Sequence, residues 1–249
     1  MIYFCSDLDN TLIYSYRREI GNEKILVEVK DGKELSYMTK VSHELLKQVS
    51  EKVELVPLTT RSLEQFSRID FGSQVKVKYA MAANGGILLE DGKINEEWYQ
   101  ETKKIVEYAD EELAKGMELL KKDENVCLEI KKVDGLFVYT KSHEPEETMR
   151  RLKEVLDTDV VYIDNNGAKV YIFPQKLDKG SSLERFRNYV GKEHSFLAAG
   201  DSYFDIPMLF TSDKGFCPES LDISEKEHIE KLNEKVFSDA MLQRVLALA

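Results

Sequence analysis

Three short apolar segments of the chain run into polar residues that can do chemistry. Residues 2–6 lead into Asp7-Leu8-Asp9-Asn10-Thr11, residues 53–58 into Thr59-Thr60-Arg61, and residues 196–199 into Gly200-Asp201-Ser202, with Asp205 one helical turn further on. Lys179-Gly180 stands at the start of a helical pattern. Taken singly, each piece reads as a turn, a helix cap or a solvated lysine. Their joint placement, at strand ends or just before helices, points elsewhere. In an open parallel sheet, ligands bind off the carboxyl ends of the strands. If these strands are neighbours, Asp7, Asp9, Thr59 and Asp201 converge in one crevice with Asp205 close behind. Carboxylates gathered in this way repel one another and raise each other's pKa values. A divalent cation removes that conflict, and an all-oxygen donor set suits Mg²⁺. The histidines, His43, His143, His194 and His228, are too scattered to suggest zinc.

The elements that must position these groups follow from periodicity. Residues 2–6, 53–58, 79–83, 196–199 and 214–217 are short apolar runs that read as buried strands. Between them, residues 41–52, 62–69, 180–189 and 205–210 have helical spacing, and the C-terminus is also helical. Single strands alternating with helices predict right-handed parallel crossovers and an α/β, Rossmann-like parallel-sheet core. Residues 87–174 break this rhythm. A long charged helix over residues 96–122 precedes a hairpin closed by Asp134-Gly135, and a helix over residues 146–156 precedes one closed by Asn165-Asn166-Gly167. Two helix–hairpin units predict an antiparallel sheet with helices on one face, an inserted α+β domain. The division is then residues 1–86 and 175–249 for the core and 87–174 for the insert. Glu129, Lys131, Lys169 and Tyr171 alternate with apolar residues on the insert's strands and share the polar face of its sheet or its edge; they read as solvated sheet positions, the alternative being a face that closes over the core. A further hairpin, residues 24–38 around Asp31-Gly32, projects between the first strand and the first helix. It reads either as a flap over the crevice or as an extension of the sheet.

Bulk properties narrow the function. The formal net charge of −11 opposes binding to nucleic acid or to an anionic membrane. It also opposes phosphorylated ligands, so an anionic substrate requires a cation or a local Lys/Arg group. No apolar run approaches the length of a membrane span, and the first residues lack the features of a signal peptide. Cys5, Cys127 and Cys217 are far apart in sequence and read as reduced, mostly buried thiols of a cytoplasmic protein. Oligomeric state is not encoded in any of these features.

Asp7-Leu8-Asp9-Asn10-Thr11-Leu12, Leu58-Thr59-Thr60-Arg61, Lys179-Gly180 and Gly200-Asp201-Ser202-Tyr203-Phe204-Asp205 resemble the four ordered motifs of the haloacid dehalogenase superfamily. The insert between the second and third motifs, together with Asn84-Gly85-Gly86, resembles the C2-type cap of the branch that includes sucrose-phosphate phosphatase, phosphomannomutase and the Cof-type sugar phosphatases. The resemblance implies a Mg²⁺-dependent phosphatase acting on a small phosphorylated metabolite, a sugar phosphate by preference, through an aspartyl-phosphate. It implies Asp7 as nucleophile and Asp9 as general acid and base, with Thr59 and Lys179 holding the phosphoryl oxygens. The metal would sit on the Asp7 carboxylate, the Asp9 backbone carbonyl and Asp201, with Asp205 acting through water or orienting Lys179. Thr60 stands where many relatives have Gly, and Phe204 where many have Asn. The alternatives are a phosphomutase, or a regulatory protein that binds metal or phosphate on the same fold without turnover.

Overall fold

The computed structural model describes residues 1–249. The chain divides into two compact units, Met1–Asn95 with Lys179–Ala249, and Glu96–Asp178. The first is an α/β unit built on a five-stranded parallel sheet. Its strands lie in the order Ile229–Leu232, Lys214–Pro218, Ser195–Ala199, Ile2–Ser6, Glu54–Pro57. The N-terminal strand is interior because nearly every side chain is buried, on both faces. Phe4 packs into the cluster containing Leu46 and Val49 of helix Lys40–Lys52 and Met241, Leu242 and Val245 of helix Phe237–Leu248. On the opposite face, the Tyr3 ring meets Phe186 of helix Lys179–Val190 edge-on at 5.5 Å and stacks on Phe196 at 5.3 Å. Burying an aromatic side chain of this kind stabilises the fold by roughly 1.5–3 kcal/mol.

Tyr79–Ala82 lies beyond Glu54–Pro57, touching its extension through a parallel Leu58–Met81 bridge, and pairs antiparallel with Ile87–Glu90. The short strand Lys93–Ile94 completes that small sheet, so residues 87–95 stay with the first unit. The unit boundaries therefore fall at 95/96 and 178/179, later at both crossings than a division at the glycines and at Pro174. Hairpin strands Lys24–Lys30 and Lys33–Thr39 form a sheet of their own with Tyr14–Ser15 and do not extend the parallel sheet. Their turn, Asp31-Gly32, has φ of 51° and 73°, the left-handed pair a two-residue hairpin requires.

The second unit is an antiparallel sheet in the order Val161–Asn166, Lys169–Pro174, Phe137–Lys141, Lys131–Val133. Val138, Val170 and Ile172 cluster with Leu113 and Leu120 of helix Asp110–Lys121 and Leu152 of helix Pro145–Lys153. The expected single helix over residues 96–122 is two helices, Glu96–Val106 and Asp110–Lys121, joined by a 3₁₀ turn, Glu107–Ala109. The strand leading into the Asp134-Gly135 turn is regular only from Lys131. Before it the Leu128 carbonyl accepts from the Thr140 hydroxyl at 2.8 Å, outside the ladder. Glu129 thus lies outside any strand, and Tyr171 is buried against Tyr139 and Phe173. Of the thiols, Cys5 and Cys217 are buried and Cys127 is exposed. No helix is long and apolar enough to cross a membrane.

Candidate active site

Parallel register brings the motif residues to one edge of the sheet. Ser6 pairs with Ala199 on one side and Pro57 on the other. The ladder continues one step, with Asp7 N donating to Ala199 O at 2.9 Å and Leu58 N to Ser6 O at 2.8 Å. Asp7, Thr59 and Asp201 therefore emerge from three adjacent carboxyl ends. The chain then turns sharply. Leu8 O accepts from the amides of Thr11, Leu12 and Ile13, with Asn10 at φ 62°, a conformation Asn tolerates better than most residues. Buried Leu8, Leu12 and Ile13 anchor this loop in the core.

Asp7 is buried, and Lys179, the first residue of its helix, is 1% exposed. Lys179 Nζ lies 2.5 Å from Asp7 Oδ1 and 2.5 Å from Asp205 Oδ1. The other Asp205 oxygen, Oδ2, accepts from Asp201 N at 3.1 Å, Ser202 N at 2.9 Å and Ser202 Oγ at 2.8 Å. Both Asp205 oxygens are thus engaged in holding Lys179 and the Gly200–Ser202 turn. The glycines of these motifs have steric reasons. A Cβ on Gly200 would sit 2.2 Å from Asp205 Cβ, and one on Gly180 would sit 2.6 Å from Pro207 O. The first admits the Asp205 carboxyl against the strand end, and the second lets the Lys179 helix close on its neighbour.

Candidate ligand oxygens of Asp7, Asp201 and Asp205 all lie within 4.8 Å of one another. Thr11 Oγ1 donates to Asp201 Oδ1 at 3.3 Å. Three carboxylates facing one ammonium leave two negative charges in an enclosed space, the electrostatic deficit a divalent cation fills. The pKa shifts express this deficit. Burial pushes the Asp7 carboxyl up to about 7, Lys179 opposes that, and the charges of Asp205 and Asp9 add to it. Burial, then Asp7 and Asp205, push Asp201 up to about 8. Burial alone would lower the Lys179 ammonium, but Asp205 and Asp7 outweigh it and raise it instead.

Asp9 is more open, its side chain 39% exposed, and lies on a separate ion-pair chain. Arg61 grips it bidentately, Nε to Oδ2 and Nη2 to Oδ1, each at 2.8 Å. This geometry is the strong form of the Arg–carboxylate pair. Thr59 is fully buried, its amide bonded to Met81 O and its hydroxyl accepting from Arg61 N at 3.2 Å. All six residues singled out from sequence, Asp7, Asp9, Thr59, Lys179, Asp201 and Asp205, lie in the first unit around these strand ends. In the sequence Arg61 stands only as the end of a motif, and nothing near it in the chain signals its hold on Asp9.

Residues 93–228, more than half of the chain, match the family model of haloacid dehalogenase-like hydrolases. The chain belongs to the haloacid dehalogenase-like hydrolases. The matched stretch includes Lys179, Asp201 and Asp205. Asp7, Asp9 and Thr59 precede it and join the site through sheet register. No curated protein matches significantly in sequence. Solved structures share the fold at low identity. The sucrose-phosphatase of Synechocystis sp. PCC6803, solved with sucrose and phosphate, is similar with a TM-score of 0.69 at 15% identity, over 99% of this chain and 97% of that one. A trehalose-6-phosphate phosphatase of Aspergillus fumigatus gives 0.59 at 12% identity, over 100% and 93%. The N-terminally truncated IMP-nucleotidase of Plasmodium falciparum gives 0.63 at 15% identity, over 99% and 70%. These likenesses show that the fold is shared over essentially the whole chain.

Proposed function

We propose that this haloacid dehalogenase-like hydrolase is a Mg²⁺-dependent phosphomonoesterase working through an aspartyl-phosphate on Asp7. The observation that carries this reading is the pairing of two unlike carboxylates two residues apart. Asp7 is enclosed and held by Lys179 at 2.5 Å, while Asp9 is open and oriented by Arg61. An enclosed carboxylate beside a cation suits a nucleophile, and an open, oriented one suits proton transfer.

In the first step an Asp7 oxygen bonds to phosphorus as the ester P–O bond breaks, and Asp9 gives its proton to the departing oxygen. In the second, water attacks the phosphorus of the aspartyl-phosphate and Asp9 takes the water's proton. Orthophosphate leaves and Asp7 is restored. Lys179 and Thr59 hold the phosphoryl oxygens, and Asp205 keeps Lys179 aimed. The oxygen-only donor set and its two-charge deficit fit Mg²⁺, which would rest on the Asp7 carboxylate, the Asp9 carbonyl and Asp201. When bound, it supplies positive charge to the transferring phosphoryl group. The α+β unit acts as a cap, and the substrate class is a small sugar phosphate. The sucrose and trehalose-6-phosphate phosphatases that share the fold support this class.

Phosphate release from p-nitrophenyl phosphate with and without Mg²⁺ tests the reaction, and a panel of phosphorylated metabolites tests the class. Mg²⁺-dependent turnover that Asp7→Asn abolishes is expected. Undiminished turnover in Asp7→Asn would refute the nucleophile.

A further inference from the structure

Glu28 takes no part in the chemistry above, yet its side chain is only 2% exposed. It lies within hairpin strand Lys24–Lys30 directly after buried Val27. Strict alternation along a strand would send Val27 and Glu28 to opposite faces. A bulge prevents this. Leu26 pairs with Tyr37 and Glu28 with Ser36, and the register shifts on both sides of Glu28. Bulges re-aim side chains and concentrate beside active sites.

Here the bulge delivers Glu28 to the arginine that holds Asp9. Glu28 Oε2 lies 3.0 Å from Arg61 Nη1 and accepts from Ser36 Oγ at 2.6 Å. Glu28 Oε1 lies 3.1 Å from Arg68 Nη2 and 3.2 Å from Arg68 Nε. Arg61 faces Asp9 with its Nε–Nη2 edge and Glu28 with the remaining nitrogen. A guanidinium is a rigid plane, so contacts on two sides fix its orientation. Packing alone does not call for this arrangement. A buried ion pair of this kind is often no more stabilising than apolar residues of similar volume. An apolar residue at 28 could fill the space, but it could not hold Arg61.

We propose that Glu28 is a positioning residue, which through Arg61 fixes the direction in which Asp9 meets the leaving oxygen. This rests on the reading of Asp9 as proton donor. The hairpin thereby belongs to the catalytic apparatus, contributing orientation without touching substrate.

Leaving-group dependence tests it. Expulsion of p-nitrophenolate needs little proton assistance, whereas an alkoxide needs it fully. For wild type, Glu28→Gln, Ser36→Ala and Asp9→Asn, kcat/KM is measured with Mg²⁺ on p-nitrophenyl phosphate and on glycerol 2-phosphate, alongside thermal midpoints. General acid catalysis contributes about 10²–10⁴-fold and a misaimed group forfeits part of it, so Glu28→Gln should lose about 10–100-fold on the alkyl ester and under about threefold on the aryl ester. Ser36→Ala, which removes only the 2.6 Å bond to Glu28, should shift the same ratio less, and it carries the test if Glu28→Gln does not fold. Equal losses on both esters, or no loss on either, while Asp9→Asn discriminates between them, overturn the role of Glu28. If Asp9→Asn itself does not discriminate, the proton-donor reading of Asp9 falls, and this proposal falls with it.

Discussion

Withdrawing the cation with EDTA should weaken the protein by an amount that grows with pH. The Asp7 carboxyl is pushed up to about 7 and that of Asp201 up to about 8, first by burial and then by neighbouring carboxylates. A carboxyl whose folded pKa exceeds its unfolded value makes the folded state the better proton binder. The contribution of these two groups to the metal-free protein is therefore fully present below about pH 4, where both are protonated folded or unfolded, and is lost as pH climbs through the folded values. One pKa unit corresponds to about 1.4 kcal/mol, so a shift of about three units sets a ceiling near 4 kcal/mol for one group. Because the two sites titrate as a pair, a loss of about 2–4 kcal/mol between about pH 5 and pH 8.5 is expected for the pair. Mg²⁺ must displace those protons, so its stabilising increment should be small at the lower pH and large at the higher. Urea titrations at both pH values, with EDTA or with millimolar Mg²⁺, measure all four stabilities. Asp201→Asn supplies the internal control. Without metal it should be more stable than wild type at the higher pH, equal to it at the lower, and unresponsive to Mg²⁺ at both. A metal-free stability that does not fall with pH, or a Mg²⁺ increment equal at both values, would refute the electrostatic account of the site.

Chelation should abolish turnover while far-ultraviolet circular dichroism on the same sample stays native, because the apolar core clusters hold the fold together without the ion. Lys179→Met removes the one ammonium shared by Asp7 and Asp205; a loss of about 3–5 kcal/mol at neutral pH is expected in denaturant titration, with no measurable phosphate release. Gly200→Ala drives a methyl to 2.2 Å from Asp205 Cβ; calorimetry should show weakened Mg²⁺ binding and a stability loss of about 1–3 kcal/mol. Native thiol titration should modify Cys127 rapidly and reach Cys5 and Cys217 only on unfolding, as their burial requires.

Much of the core could be read directly from sequence because its strands are interior. Ile2–Ser6 and Ser195–Ala199 are short apolar runs bounded by polar residues, and their ends announce the crevice. The edge strand Ile229–Leu232 was missed within a C-terminus read as helical, because two of its four residues are charged, as edge positions commonly are. The break at Glu107–Ala109 was invisible for a different reason. Trp98, Thr102, Val106, Ala109, Leu113, Gly116 and Leu120 are all buried and keep three- and four-residue spacing straight through it. A 3₁₀ turn has a period close enough to the α-helix to leave that pattern intact. Within the site, Asp7, Asp9 and Lys179 were legible because residue type and position coincide. Glu28 was not, because it sits where alternation predicts solvent and only a bulge reverses its side. Arg61 was in plain view, but its partner was set by tertiary geometry 52 residues away.

The position of the N-terminal strand bears on how the protein is made. Ile2–Ser6 is made before every other strand of its sheet, and one of its two flanking strands, Ser195–Ala199, follows only after the inserted unit. Until then it is an open sheet edge carrying Asp7, and Lys179, the cation that accompanies Asp7, lies 172 residues downstream. For most of synthesis the nascent N-terminal part therefore holds an unpaired strand edge, and Asp7 lacks the cation that its burial in the finished fold requires. The complete inserted unit, Glu96–Asp178, emerges during that interval and has its own apolar cluster. The order of translation thus favours an inserted unit that folds first and a first unit that closes only when the chain beyond residue 178 supplies both the missing strand and the missing charge.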